Sequence, residues 1–84
     1  MNIQLIQGEF SVNEALELIT QMIHIKIKYH ENKIAQHSSE EDIKSRETKI
    51  KRLQKELFDF RNNIDKKHSN IKLDAIIHIE NKNN

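Results

Sequence analysis

Two segments of alternating apolar and polar residues at the ends of the chain, with two long segments of helical period between them, predict an α+β fold of order β-α-α-β. The expected architecture is a long, coiled-coil-like antiparallel helical hairpin carrying a small terminal two-stranded antiparallel sheet. A second observation supports it: there is no proline and only one glycine, Gly8, so nothing breaks the central segments. Length is the third. With 84 residues the chain supports one core at most, because a chain this short buries only about 60% of the surface its unfolded form exposes. Residues 1–84 are therefore read as a single domain.

Asn2-Ile3-Gln4-Leu5-Ile6-Gln7 alternates for most of its length and predicts a strand over 2–7, after which Gly8 supplies a bend. Ser11-Val12-Asn13-Glu14 then has the capping-box pattern, in which a serine hydroxyl and a glutamate carboxylate satisfy the free amides at a helix start. Phe10 precedes it as a hydrophobic staple. The helix is expected over 11–36, about 25 residues or roughly 38 Å. At 100° per residue, Leu16, Ile19, Ile23, Ile27, His30 and Ile34 form one stripe, and Ala15, Leu18, Met22, Ile25 and Tyr29 form a second beside it. Together they cover about 200° of arc. That is wider than one neighbouring helix covers, so this helix is expected to meet two different surfaces.

His37-Ser38-Ser39-Glu40-Glu41-Asp42 interrupts the apolar period and restarts it with a second cap, Ser38 to Glu41 or Ser39 to Asp42. The helix that follows, expected over 39–67, keeps a seven-residue repeat with Ile43, Ile50, Leu57 and Ile64 on one line and Arg46, Leu53 and Phe60 on the other. Arg46 interrupts this seam, its stem able to pack while the guanidinium reaches solvent or an acid. Lys66-Lys67-His68 suits a helix carboxyl terminus and Ser69-Asn70 a turn. Alternation then returns over 70–80, with Ile71, Leu73, Ala75, Ile77 and Ile79 on one face of a strand about 30 Å long. Residues 81–84 form a polar tail. Because the helices go out and return, the two strands meet at the open end of the hairpin and pair antiparallel.

Charge is balanced overall, 14 basic against 13 acidic, but not along the chain: residues 1–42 carry 3 basic and 7 acidic side chains, and residues 43–84 carry 11 and 6. Such asymmetry marks either a nucleic-acid-binding half or two oppositely charged elements packed together. The hairpin favours the second, placing Glu9, Glu14 and Glu17 near Lys66 and Lys67, and Lys33 near Glu40, Glu41 and Asp42. The absence of cysteine excludes disulfides and thiolate metal sites. Short apolar runs such as Ile76-Ile77 exclude a membrane span, and MNIQLIQGEF lacks the features of a secretory signal, so the expected location is cytoplasmic.

An isolated two-stranded sheet is marginal and has two open edges. A second copy is therefore the expected cover, forming a homodimer through a four-stranded sheet or a four-helix bundle. The expected interface residues are Leu18, Ile25, Tyr29 and Phe58 on the helices and Ile71, Leu73 and Ile77 on the last strand. Phe58 lies about 110° from the centre of its helix's seam, outside a simple hairpin contact. The alternative site is a basic stripe of Lys44, Lys51, Arg52 and Lys55, with Lys49 beside it, of the kind that neutralises phosphates. Glu40 to Lys44 and Glu47 to Lys51 have the spacing of ordinary solvated pairs, however, and no aromatic residues interleave for base stacking.

His24 and His30 have Lys28 and Ile34, not ligands, at the i+4 spacing of a helical pair, and His30 falls between Ile27 and Ile34 as a hydrogen-bonded seam residue. No metal, cofactor or small-molecule substrate is expected, since there is no glycine-rich phosphate loop, thiol or nucleophile elbow. The sequence thus reads as a non-enzymatic module that self-associates and binds another protein, with nucleic-acid binding by the stripe as the alternative.

Overall fold

The computed structural model describes residues 1–36, 39–64 and 70–82. The element order is β1 (Asn2–Phe10), α1 (Val12–Gln36), α2 (Glu40–Asn63) and β2 (Ile71–His78), an α+β chain of two helices and one two-stranded antiparallel sheet. It divides into two compact units, one containing both strands and the chain to Ala15, the other Leu16–Ile64. No helix among the described residues is long and apolar enough to cross a membrane.

In the sheet unit, β1 is longer than the expected 2–7. Gly8 does not bend the chain away; it stays in the ladder opposite Leu73, and Glu9 and Phe10 continue opposite Lys72 and Ile71. Its φ of 141° is open to glycine and strained for any residue with a Cβ, so the glycine permits an irregular strand where a turn was expected. A second irregularity lies at Leu5, where the register passes from Gln4 opposite Ile76 to Ile6 opposite Ala75, leaving Leu5 as the extra residue of a β-bulge. The bulge resets the side-chain parity of β1, so that Ile3, Ile6 and Phe10 share one face with their register partners Ile77, Ala75 and Ile71. The Gln4 side-chain amide serves the irregular point, donating to the carbonyls of Ile6 (2.9 Å) and Ala75 (3.2 Å) and to Asp74 Oδ1 (2.7 Å).

That face is covered unevenly. Ile6, Phe10, Ile71, Leu73 and Ala75 are half-buried, whereas Ile3, Ile77 and Ile79 are exposed. The expectation of one half-buried face along the whole of the last strand therefore holds only for its first half, and β2 itself stops at His78. Beyond it, Ile79 still donates to the carbonyl of Met1 at 2.8 Å, and the terminal ammonium donates back to the Ile79 carbonyl at 3.1 Å.

α1 begins with the reciprocal box expected of Ser11 and Glu14: the Glu14 amide donates to Ser11 Oγ (3.1 Å) and the Ser11 amide to Glu14 Oε1 (2.9 Å). These bonds hold the Glu14 carboxyl below its usual range. In the helical unit the two helices form an antiparallel hairpin, shown by contacts that run in opposite order along them: Arg61 Nη2 donates to Thr20 Oγ1 (3.1 Å) and Arg46 Nη1 to His30 Nδ1 (3.0 Å). Ser39 is the N-cap of α2, accepting from the Asp42 amide at 3.2 Å; the alternative cap at Ser38 lies outside the described residues. α2 ends at Asn63, short of the expected 67, because Ile64 takes an extended conformation while its amide still bonds Phe60 O. The pairings expected of Lys66 and Lys67, and the turn at Ser69, fall outside the described residues.

All seven seam positions of α2 are buried or half-buried, led by Leu53 and Leu57. The first stripe of α1 is covered too, from Leu16 to Ile34, with His30 the most buried polar residue. Among the described residues no large side chain is fully buried, and only Ala15 has no exposure at all.

Candidate functional site

The expected protein interface splits when its residues are placed. On α1, Leu18 is half-buried while Ile25 and Tyr29 are exposed; on α2, Phe58 is 67% exposed. The second stripe of α1 is therefore covered only near its start, at Ala15, Leu18 and Met22. On β2, Ile71 and Leu73 are half-buried and Ile77 is exposed. Sequence reasoning missed Ile76, which it put on the polar face and which is 48% exposed.

The open edge of β2 follows from the ladder. Met1 and Ile79 exchange both backbone bonds, so the amide and carbonyl of Ile79 face β1. Strand alternation then directs those of Lys72, Asp74, Ile76 and His78 away from it. β2 is regular, with no glycine, no proline and no bulge, whereas β1 carries both a bulge and a glycine. Bulges and irregular strands discourage further pairing, so β2 offers the better template of the two edges.

The basic stripe also divides. Lys44, Lys51, Arg52 and Lys55 are all exposed, and among the described residues neither Glu40–Lys44 nor Glu47–Lys51 closes to an ion pair. Such exposed pairs gain too little to overcome the entropy of ordering two long side chains. Of the four, Arg52 lines a cleft of about 290 Å³ together with Lys26, His30, Lys49, Leu53 and Glu56. Lys26 and His30 stand one turn apart on α1, and Lys49, Arg52, Leu53 and Glu56 recur at helical spacing on α2. Nothing in the period of either helix alone reveals this grouping; it needs the hairpin register.

His30 is 6% exposed and is held from two sides. Its Nδ1 lies 3.0 Å from Arg46 Nη1, and the Tyr29 ring meets it edge-on at 5.5 Å. A guanidinium only donates, so Nδ1 accepts and the ring proton is on Nε2. Nε2 is buried and has no hydrogen-bond partner. Burial pushes the His30 pKa below its ordinary value, and the positive charges of Arg46, Lys49 and Lys26 push in the same direction. Arg46 itself is fixed by Asp42 at 3.1 Å, the acid that sequence reasoning sought for it, and its guanidinium lies 5.9 Å from the centre of the Tyr29 ring.

Among the described residues no three histidine or carboxylate side chains converge as metal ligands. No known family model matches the chain, and no curated protein and no solved structure is significantly similar to it.

Proposed function

We propose that this chain is a non-enzymatic protein-association module whose first partner is a second copy of itself, joined through the outer edge of β2. The supporting observation is that edge: a regular strand with four outward-directed backbone pairs, bordered by the exposed Ile76, Ile77 and Ile79. Two copies pairing antiparallel about a two-fold axis would extend the two-stranded sheet to four strands and cover those isoleucines. In this reading the helical hairpin is a coiled-coil-like support, and its exposed Ile25, Tyr29 and Phe58 are the surface for a different protein. The alternative, nucleic-acid binding by Lys44, Lys51, Arg52 and Lys55, is supported only by the exposure of those side chains.

Sedimentation equilibrium over a hundredfold range of concentration tests self-association. The expected result is a mass near 20 kDa, twice the 10.0 kDa of one chain, falling toward one chain on dilution. Ile76→Lys places a charge at the centre of the edge and is expected to give the single-chain mass throughout with an unchanged circular dichroism spectrum. A wild-type chain that sediments as one copy at every concentration would overturn the reading.

A further inference from the structure

The cleft beside His30 has a use that self-association does not account for. Its lining carries three cations, Lys26, Lys49 and Arg52, against one carboxylate, Glu56, leaving two positive charges in excess. His30 forms part of the wall, with its Nε2 buried behind the lining. An anionic group in the cleft supplies the counter-charge that the three cations lack.

We propose that this cleft binds the dianionic phosphate of a small phosphomonoester. The two excess charges match a monoester, which carries about −1.5 to −2 at neutral pH, better than a phosphodiester or carboxylate with one. The cleft volume of about 290 Å³ lies just below the range of ligand sites, about 300–1,000 Å³. It suits a phosphate with a compact carrier. Arg52 offers a planar fork to two phosphate oxygens, and Lys26 and Lys49 offer point charges from opposite helices. Glu56 is the internal competitor for those donors. Lys44, Lys51 and Lys55 do not line the cleft, so this site is distinct from the basic stripe although it shares Arg52 with it.

The full-length chain tests this by NMR, following the His30 ring Nε2–H resonance during titration with inorganic phosphate at pH 8, ionic strength held constant with sodium chloride. Saturating shifts are expected, with O-phosphoserine binding at least as tightly and dimethyl phosphate, a singly charged diester, roughly tenfold more weakly. Combined Lys49→Glu and Arg52→Glu is expected to weaken phosphate binding by tenfold or more, since each lost charge-assisted contact weakens binding by roughly tenfold. Combined Lys44→Glu and Lys55→Glu, the same charge change on exposed positions outside the cleft, is expected to stay within twofold of wild type. All four positions are exposed, and a retained circular dichroism spectrum verifies the fold of both variants. Shifts that never saturate, equal losses in the two variants, or dimethyl phosphate binding as tightly as phosphate would each overturn the assignment.

Discussion

His30 shows how one side chain can belong to the core and to a surface cleft at once. Its place in the seam was legible in the sequence, because it sits at the helical spacing between Ile27 and Ile34. Its partner was not legible: Arg46 is 16 residues away, on the other arm of the hairpin, and local periodicity contains no information about which residues face each other across it. The pairing fixes the tautomer, and the cationic surroundings fix the direction of titration. Arg46, Lys49 and Lys26 all disfavour the imidazolium, Arg52 adds another positive charge at the cleft, and Glu56 is the one lining group that opposes them. With its folded-state pKa below the unfolded value of about 6.5, His30 takes up a proton more readily when the chain is unfolded. Its contribution to stability is therefore fully present above about pH 6.5 and is lost as the pH falls from there through the lowered folded-state value. Urea denaturation at pH 8 and pH 5 checks this, with His30→Leu expected to flatten the decline between them. An equal decline in the variant would mean that the acid sensitivity comes from elsewhere than His30; the Glu14 cap is not that source, because its lowered carboxyl pKa places its own loss below pH 5.

Among the elements, α2 was the most legible and β1 the least, for reasons that lie in their periods. The seven seam positions of α2 read from the heptad are the ones that become buried or half-buried from Ile43 to Ile64, because a helix whose two sides differ this much in polarity has one way to face a neighbour. Its last turn was misjudged because Lys66 and Lys67 look like a helix terminus, whereas the backbone leaves the helix at Ile64. In β1 the apolar residues Ile3, Leu5 and Ile6 contradict a strict alternation, and the structure resolves the contradiction with a bulge at Leu5. A bulge has no unique sequence signature, and Gly8 marked an unusual φ without saying whether the chain turns there or stays in the sheet. Adjacent residues of α2 separate seam from surface experimentally. Leu57→Ala is expected to destabilise the chain by about 2–3 kcal/mol, since it opens a gap beside Leu53 in a layer with nothing deeper to collapse. Phe58→Ala, one position away and largely exposed, is expected to change stability by under about 0.5 kcal/mol. Both values come from urea titrations with the slope held in common. A large loss for Phe58→Ala would mean that this ring is buried in solution, where a partner copy would be its cover.

At the scale of the whole molecule, a chain with no large side chain fully buried among its described residues has little core to draw on, and small folds in that position gain stability by association. The sequence made this legible as a general need, through the two-stranded sheet and the excess apolar arc of α1. It did not indicate which edge would be used, because that depends on the bulge of β1 and on which amides face outward. Once those are known, the register of a β2–β2 pair is constrained. In an antiparallel pair about a two-fold axis, the residues of each facing pair have numbers with a constant sum, and the outward-directed even residues must meet one another. Centring the axis on Asp74 would set like charges face to face. Centring it on Ile76 sets Lys72 against Glu80 and Asp74 against His78 of the copy, with Leu73 against Ile79 and Ala75 against Ile77 on the apolar face. Centring it on Ala75 would set the Asp74 carboxylate against Ile76 and Lys72 against His78, whereas the Ile76-centred register covers all three exposed isoleucines and opposes Lys72 to Glu80, so it is the one the proposed dimer is expected to use. A charge exchange checks it. Glu80→Lys should set lysines against each other at two symmetry-related points and weaken the dimer, by roughly tenfold in dissociation constant at low salt, and the effect should shrink in 0.5 M salt as screening grows. Adding Lys72→Glu to that variant restores opposite charges between the copies, although it also removes the lysine facing Glu9 within one chain. Sedimentation equilibrium should therefore find the double variant dimerising more tightly than Glu80→Lys alone. If the second substitution weakens the dimer further, the two positions do not face each other and the Ile76-centred register is wrong.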